Sequence, residues 1–246
     1  MKSNRFSVFV LIMLCSTLGI KQVDLAANKN TLKTNTLKTN IQKIENENKV
    51  EDVSVLSSNI VLVNRDNVLE KDNYIKEFKI PNVEFIANGD PNVRKMEKDS
   101  ADALERLFNA AKIDNIILLG VSGYRNYSYQ EKLYNNKVKR SGKEEADKYV
   151  AQPGESEHQT GLAMDVLSNE YTTLDEGFKN TKAYTWIIEN CYKYGYIIRY
   201  PEGKEQITGY DYEPWHIRYV GNDAARQIAC NGSTLEEYLN ISIASK

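Results

Sequence analysis

The chain has 246 residues, of which 41% are hydrophobic and 27% are charged, so it can bury one substantial core and form one domain or two. Its formal net charge is -2 at pH 7, and its basic residues are scattered among acidic ones rather than gathered into a stripe. We therefore expect no nucleic-acid partner.

Residues 1–27 have the order of an export signal. Basic residues precede an apolar run at 6–20, which is shorter than the about 20 apolar residues that a spanning helix needs. Ala26 and Ala27 offer only a poor cleavage site, so secretion and retention as an N-terminal membrane anchor both stay open. In either case we expect an exported protein that works on the extracellular side.

Residues 28–58 are polar and poor in aromatic side chains, and they contain a direct repeat. The sequence TLKTN at 31–35 recurs at 36–40. Such a stretch cannot bury enough apolar surface to offset its ordering entropy. We predict a flexible spacer here, followed by a folded domain at 59–246.

The first half of this domain contains two strand patterns and one helix pattern. The β-branched run at 60–63, bounded by asparagines, predicts a strand. Apolar residues recur at helical spacing between 93 and 112, which predicts a helix with one buried face. The run at 116–122 is too short and too apolar for a surface helix, so we predict a buried strand that leads into Gly123-Tyr124-Arg125.

The second half predicts a helix followed by two strands. The buried face of the helix carries Tyr184, Ile187, Ile188 and Cys191. Gly195 is expected to end this helix. Strands are predicted at 196–200 and at 216–220, with a turn at 201–204 after the first of them.

The remaining elements complete a mixed fold. Ser233 and Glu236 form a capping-box pattern, which predicts a short closing helix. Helices and strands are mixed without βαβ regularity, which favours a single α+β domain with a largely antiparallel sheet flanked by helices. Cys191 and Cys230 could pair in an oxidising compartment, but each falls on the apolar face of a predicted helix. We predict two buried free thiols.

The chain has two histidines, His158 and His216, and each lies in a motif of carboxylates and small residues. The first motif, SEHQTGLAMD, ends at Asp165, and the second, EPWH, begins at Glu213. Catalytic zinc commonly takes three ligands from His and Asp/Glu, with a nearby carboxylate as general base. A bend near Gly161, and a kink at the proline of the second motif, would let these side chains converge.

Each of these residues also has a structural interpretation. A lone histidine is more often a packed or surface side chain than a ligand. Asp165 could hydrogen-bond locally, Glu213 could be a solvated charge, and Arg125 could hold a carboxylate in place. Trp215 is expected to pack beside the site. Several tyrosines could line a cleft or pack at an edge; they are Tyr124, Tyr127 and Tyr129.

The GYR sequence at 123–125 and the two histidine motifs, taken in this order, resemble the D-alanyl-D-alanine carboxypeptidases of the VanY type. This zinc peptidase family is related to the VanX dipeptidases. The similarity runs from about Asn59 to Val220 and includes QPG at 152–154 and ITGY at 207–210. The resemblance implies a Hedgehog/DD-peptidase-like fold.

The resemblance also implies a role for each matching residue. The implied ligands of one Zn²⁺ ion are His158, Asp165 and His216. Glu213 would be the catalytic base, and Arg125 would contact the substrate near the reacting carbonyl. Gln130 and Ser156 match positions that contact substrate.

The implied function is an exported, cell-wall-facing zinc carboxypeptidase that removes the terminal D-alanine from peptidoglycan stem peptides. Zinc would acidify a water molecule, and Glu213 would take its proton as the water attacks the peptide carbonyl. We expect a monomer. The alternatives are an L,D-carboxypeptidase acting on tetrapeptide stems, an endopeptidase acting on crossbridges, and a zinc-containing wall-binding module without turnover.

Overall fold

The structure is a computed structural model that describes residues 60–71, 75, 77–87 and 89–244, with side chains described up to residue 240. The predicted export segment and the predicted spacer, together residues 1–58, lie outside the described residues. Within the described part of the chain, no helix is both long enough and apolar enough to cross a membrane.

In the part of the chain that the structure describes, two antiparallel sheets contain the strands. The short strands β1 (Phe78–Lys79) and β2 (Met96–Glu97) pair with each other. The main sheet contains β3 (Leu118–Ser122), β4 (Ala163–Ser168), β5 (Tyr196–Ile198) and β6 (His216–Tyr219). Its strands lie in the order β3-β4-β6-β5, and each neighbouring pair is antiparallel.

Helices occupy much of the chain between and after these strands. They are α1 (Lys98–Ile113), α2 (Tyr127–Ser141), α3 (Lys143–Tyr149), α4 (Lys182–Asn190), α5 (Glu205–Thr208), α6 (Asn222–Asn231) and α7 (Leu235–Ala244). Helices and an antiparallel sheet in one domain confirm the predicted α+β class.

Helix α1 packs its apolar face into the main core. Leu104 and Leu107 are fully buried, in one cluster with Met164 of β4 and Ile217 of β6, and each buried leucine stabilises the fold by about 1.5–3 kcal/mol. The helix predicted at 93–112 is confirmed. It begins later than predicted because Glu97 pairs in β2 and caps the helix.

The strands predicted at 116–122, 196–200 and 216–220 are confirmed as β3, β5 and β6, which are each slightly shorter. The helix before β5 is also confirmed, but one residue of its predicted buried face is wrong: Ile188 is exposed, because the helix buries the face that carries Ala183, Trp186 and Ile187. It is α4, continued by a 3₁₀ turn at Cys191–Tyr194, and it ends as predicted at Gly195, which has a φ of 84°.

The strand predicted at 60–63 is wrong. These residues pair with no strand in the part of the chain that the structure describes. Ile60 and Leu62 pack against the apolar cluster that contains residues of α6 and α7, and the carbonyl of Val61 accepts a hydrogen bond of 2.7 Å from Arg218 Nη2. The apolar run therefore reflects packing rather than sheet pairing.

The capping box of α7 lies one residue later than predicted. Thr234 N donates to Glu237 Oε2 at 2.8 Å, and Glu237 N donates to Thr234 Oγ1 at 3.2 Å. Ser233 and Glu236 have the same spacing, so the sequence pattern fits both pairs. Glu236 instead forms a salt bridge with Arg199, at 2.6 Å.

Helices α2 and α3 were not predicted. The only buried residue of α2 is Gln130 and the only one of α3 is Ala146. Neither helix therefore carries the apolar stripe that reveals an amphipathic helix in a sequence.

Cys191 and Cys230 are both free thiols, as predicted, but only Cys191 is buried. The predicted burial of Cys230 is wrong because α6 buries the face that carries Ala224, Ala225 and Ile228. Cys230 lies two positions after Ile228 and so points away from that face.

Candidate active site

Asp165, in the middle of β4, is the centre of the site. Its backbone is the register partner of Ser122 in β3 and of His216 in β6. Residues that face each other across antiparallel strands have Cβ atoms about 4.5–5.5 Å apart. Sheet register alone therefore brings Asp165 and His216 together, although they are far apart in the sequence.

His158 reaches the same point from a 3₁₀ turn at Glu157–Thr160. The turn ends at Gly161, whose φ of 72° lies in the left-handed region. A Cβ atom at Gly161 would lie 2.8 Å from Glu97 N, so the position needs glycine both for its backbone angle and for space. The bend predicted near Gly161 is confirmed, and it directs the chain into β4.

Glu213 is brought to the site by the turn that enters β6. His216 N donates to Glu213 O at 3.2 Å, with Pro214 and Trp215 between them. Glu213 Oε2 lies 3.7 Å from His216 Nδ1. The predicted kink at Pro214 therefore places both side chains in one cavity.

Three donor atoms converge closely enough to hold one metal ion. Asp165 Oδ1 lies 3.4 Å from His158 Nε2 and 3.2 Å from His216 Nδ1, and the three residues offer donor atoms within 4.8 Å of one another. Tetrahedral zinc with bonds of about 2.0–2.2 Å separates its ligand atoms by about 3.3–3.5 Å. The two measured separations from Asp165 fit such an ion.

Two of the ligand side chains, His158 and Asp165, have a contact on the edge opposite to the common centre. His158 Nδ1 lies 2.7 Å from Gly123 O, and Asp165 Oδ2 accepts a hydrogen bond of 2.6 Å from Arg125 Nη2. Such outer contacts fix the orientation of metal ligands. The two histidines present different nitrogens to the common centre, Nε2 from His158 and Nδ1 from His216.

Burial and neighbouring charges set the protonation of the ligands. Burial lowers the pKa of His158 to about 4, and Arg125 adds to this effect. Burial alone would raise the pKa of Asp165, but His158 and Arg125 outweigh it and hold the pKa well below its ordinary value. Near neutral pH, His158 is therefore neutral and Asp165 is ionised, which are the forms that bind a metal ion.

His216 lies in a strongly negative environment. Burial alone would lower its pKa, but the carboxylates of Asp165 and Glu157, which lie 3.2 and 3.5 Å from its ring nitrogens, outweigh burial and raise the pKa to about 9. The surrounding carboxylates therefore favour a positive charge at this histidine. A metal ion at Nδ1 would supply that charge in place of a proton.

Glu213 has the properties of a general base. Burial raises its pKa to about 7, and His216 opposes part of this shift. A carboxylate with a pKa near neutrality is well suited to accept and return a proton at neutral pH.

A cavity of about 670 Å³ contains the whole candidate site. Every predicted site residue lines it: Arg125, Gln130, Ser156, His158, Asp165, Glu213 and His216. Gln130 Nε2 donates to Ala151 O at 2.8 Å, whereas its buried Oε1 has no hydrogen-bond partner among the described residues.

Arg125 also has the structural role that the sequence left open. Its Nε donates to Ser122 Oγ at 2.8 Å, and its Nη2 holds Asp165. Trp215 packs against the main core, as expected, and also lines the cavity.

The aromatic lining differs from the tyrosines that the sequence suggested. The tyrosines of the cavity are Tyr149, Tyr200, Tyr210 and Tyr212. Tyr124 instead packs on Phe78, with ring centroids 4.5 Å apart, and the hydroxyl of Tyr129 donates to Asp90. None of the three tyrosines that the sequence suggested, Tyr124, Tyr127 and Tyr129, is among the residues that line the cavity.

Sequence reasoning missed a buried charge cluster next to the site. Glu157, Arg199 and Arg218 are essentially inaccessible to solvent. Arg218 lies within β6 and Arg199 directly follows β5, in segments that are otherwise apolar or aromatic. A charged residue in a buried strand requires a partner of opposite charge. The two arginines in these strand segments were therefore the sequence signal that pointed to a buried charge cluster.

Comparison with known proteins gives one matching family. The family model described as VanY, D-alanyl-D-alanine carboxypeptidase, matches residues 93–222, which contain every predicted site residue. The putative carboxypeptidase YodJ of Bacillus subtilis (strain 168) is 47% identical over 180 residues, or 73% of this chain and 66% of that protein. The chain thus spans slightly less than two thirds of this relative.

Two solved structures share the fold and much of the sequence. The LdcB LD-carboxypeptidase has a TM-score of 0.69 at 47% identity, covering 73% of this chain and 84% of that one. A mutant of the vancomycin resistance D,D-pentapeptidase VanY from a VanB-type cassette, in complex with Zn(II), has a TM-score of 0.61 at 35% identity. That match covers 74% of this chain and 98% of the VanY chain.

Proposed function

The chain belongs to the VanY family of D-alanyl-D-alanine carboxypeptidases, and we propose that it is a zinc-dependent enzyme that removes the terminal D-alanine from peptidoglycan stem peptides. One observation carries the proposal. His158, Asp165 and His216 converge beside the buried carboxylate of Glu213 in one cavity. This set supplies three ligands and one base, which is what a hydrolytic zinc site requires.

Glu213 acts as the proton carrier. Zinc, when bound, acidifies a water molecule and polarises the scissile carbonyl. The Glu213 carboxylate accepts a proton from the water molecule as the water oxygen bonds to the carbonyl carbon. It then delivers this proton to the leaving nitrogen as the C–N bond breaks. Catalysis of this type contributes about 10²–10⁴-fold to the rate.

Arg125 binds the negative charge of the substrate. Its contacts with Ser122 and Asp165 use Nε and Nη2, which fixes the plane of the guanidinium group and leaves Nη1 for the substrate. A free C-terminal carboxylate and the oxygen of the reacting carbonyl are both suitable acceptors for this donor. The carboxylate would restrict cleavage to the last residue of a peptide.

Gln130 and Ser156 contact the peptide backbone of the substrate. Gln130 lines the cavity, and its amide group can both donate and accept a hydrogen bond. Ser156 is buried and lines the same cavity, and its hydroxyl can donate or accept a hydrogen bond.

The family match supports D,D-carboxypeptidase activity, in which the residue before the scissile bond is D-alanine. The similarity to an LD-carboxypeptidase at 47% identity supports a second candidate. In that case the substrate is a tetrapeptide stem, and the bond cut joins an L-centre to D-alanine. Both reactions release D-alanine and use the same ligands and base.

Product masses test the choice between the two reactions. The purified full-length protein is incubated with a stem pentapeptide and, separately, with the corresponding tetrapeptide. D,D activity shortens the pentapeptide by one alanine and leaves the tetrapeptide intact. Cleavage of the tetrapeptide alone would replace the D,D assignment with the L,D one, and fragments from internal bonds would indicate an endopeptidase.

A pentapeptide with an amidated C-terminus provides the matched control. It keeps the scissile bond but removes the carboxylate, so we expect its cleavage to fall by about 10–100-fold, the value of a lost charge-assisted hydrogen bond. Equal cleavage of both peptides would contradict recognition of the terminal carboxylate.

We place this activity outside the cell membrane, on the wall side. The support is the basic-then-apolar N-terminal sequence, followed by a polar spacer that would let the domain reach its substrate. The spacer would serve this purpose whether the export segment is cleaved or kept as an anchor. We also propose that it acts as a monomer, because His158, Asp165, His216 and Glu213 of a single chain already supply three candidate ligands and a base.

A further inference from the structure

Glu157 lies next to the candidate metal ligand His216, at the ring nitrogen that does not face the other ligands. It directly precedes His158 in the 3₁₀ turn, but its side chain extends to the other histidine. Glu157 Oε2 lies 3.5 Å from His216 Nε2, on the side of the ring opposite to Nδ1. The Glu157 side chain is fully buried, so solvent does not compete for this contact.

The two oxygens of Glu157 have different surroundings. Oε1 accepts hydrogen bonds from Arg199 Nε at 2.7 Å and from Arg218 Nη1 at 2.5 Å. Neither Oε2 nor His216 Nε2 has a hydrogen-bond partner among the described residues. Two buried polar atoms that face each other without another partner are well placed to bond to each other, since an unmade buried hydrogen bond costs about 1–3 kcal/mol.

The arginines hold Glu157 in place and keep it ionised. Arg199 also forms a bidentate pair with Glu236 of α7, at 2.9 and 2.6 Å. The two arginines and the two glutamates give the cluster a net charge of zero. No excess negative charge is therefore present that would favour protonation of Glu157. Both guanidinium groups are themselves buried, which limits the movement of the carboxylate.

We propose that Glu157 is a positioning residue for the metal centre: its Oε2 accepts a hydrogen bond from His216 Nε2–H and thereby presents His216 Nδ1 to the ion. The inference rests on the zinc site proposed above. His158 is held in the opposite sense, because its Nδ1 faces Gly123 O at 2.7 Å. The chain thus fixes a different tautomer for each of its two histidines.

The test on substituted protein is zinc affinity, measured by competition with a chelating dye. Glu157→Gln keeps the size of the side chain but removes the anionic acceptor, and we expect zinc to bind about 10–100-fold more weakly, the usual effect of losing an outer-shell partner. Glu236→Gln is the matched control. It makes the same change one contact further from the ligand, and we expect its zinc affinity to stay within about threefold of wild type.

Several outcomes separate positioning from a merely structural role. Equal zinc affinity in wild type and Glu157→Gln would overturn the proposal. Equal losses in both variants would also overturn it, because the cluster would then act only through general stability. A wild-type protein that binds no zinc would refute the proposed metal site itself, and the inference with it.

A measurement on the unsubstituted protein avoids any failure of a variant to fold. Long-range ¹H–¹⁵N correlation NMR of the zinc-loaded protein reports the tautomer of each histidine, and the chain has only 2. We expect one ring protonated at Nδ1, assigned to His158, and one protonated at Nε2, assigned to His216. Two rings with the proton on Nδ1 would overturn the proposal.

Discussion

At the scale of single residues, Asp165 connects both candidate histidine ligands to Arg125. One of its oxygens faces both histidines, and the other is held by Arg125. The carboxylate is therefore both a candidate ligand and the anchor of the residue proposed to bind substrate. A change at Arg125 should consequently affect substrate recognition and, to a smaller degree, the orientation of the ligand.

Arg125→Lys tests this double role. Lysine keeps the positive charge but lacks the planar fork that contacts Ser122 and Asp165 at once. We expect kcat/KM for the stem peptide to fall by about 10–100-fold, the value of one or two charge-assisted hydrogen bonds. Steady-state kinetics measure the loss.

Zinc content measured on the same Arg125→Lys sample separates the two roles of the arginine. We expect the metal to stay bound, because the three candidate ligands are unchanged. A variant with full activity would contradict a role in substrate binding. A variant that has lost its zinc would show that Arg125 acts chiefly through Asp165.

At the scale of elements, Gly161 connects the turn that carries His158 to β4. Its left-handed backbone and its close approach to Glu97 N both exclude a side chain. Gly203 offers a control, because it has a similar φ of 81° but no neighbouring atom within 4 Å of the place that a Cβ would occupy. Any difference in the loss of stability between alanine variants at the two positions therefore reports the close contact rather than the backbone angle.

Gly161→Ala is predicted to destabilise the domain more than Gly203→Ala does. The left-handed angle costs about 1–2 kcal/mol in either variant, and crowding against Glu97 adds about 1–3 kcal/mol at Gly161. Urea unfolding followed by circular dichroism measures the free energy of unfolding. Equal losses in the two variants would show that the contact with Glu97 relaxes without cost.

The elements also show what a sequence can and cannot reveal. Strands β3, β5 and β6 were predictable because local apolar runs specify them. The run at 60–63 has the same composition but packs on helices near the C-terminus, and no local pattern distinguishes sheet pairing from such packing. The capping box was misplaced because Ser233 and Thr234 are equally good caps at the same spacing.

At the scale of the whole molecule, long-range contacts surround the candidate metal centre. Register in the sheet brings Asp165 to His216, while buried arginines connect Glu157 to α7 and to the backbone at Val61. The motifs predicted which residues would meet. They could not predict the cluster around Glu157, because its members come from four separate segments and no sequence spacing links one member to another.

The proposed mechanism requires Glu213 to act as a base beside a zinc ion held by His158, Asp165 and His216. Glu213→Gln tests it most directly, with Glu202→Gln as a control at an exposed position outside the cavity. Zinc content and the rate of D-alanine release from the stem peptide are measured on the same samples.

We predict that both variants bind zinc as wild type does, and that Glu202→Gln retains its rate. Glu213→Gln should lose about 10²–10⁴-fold in rate, because the amide cannot accept and return the proton. An unchanged rate in zinc-loaded Glu213→Gln would contradict the account. A wild-type protein that binds zinc but releases no D-alanine would instead indicate a wall-binding module.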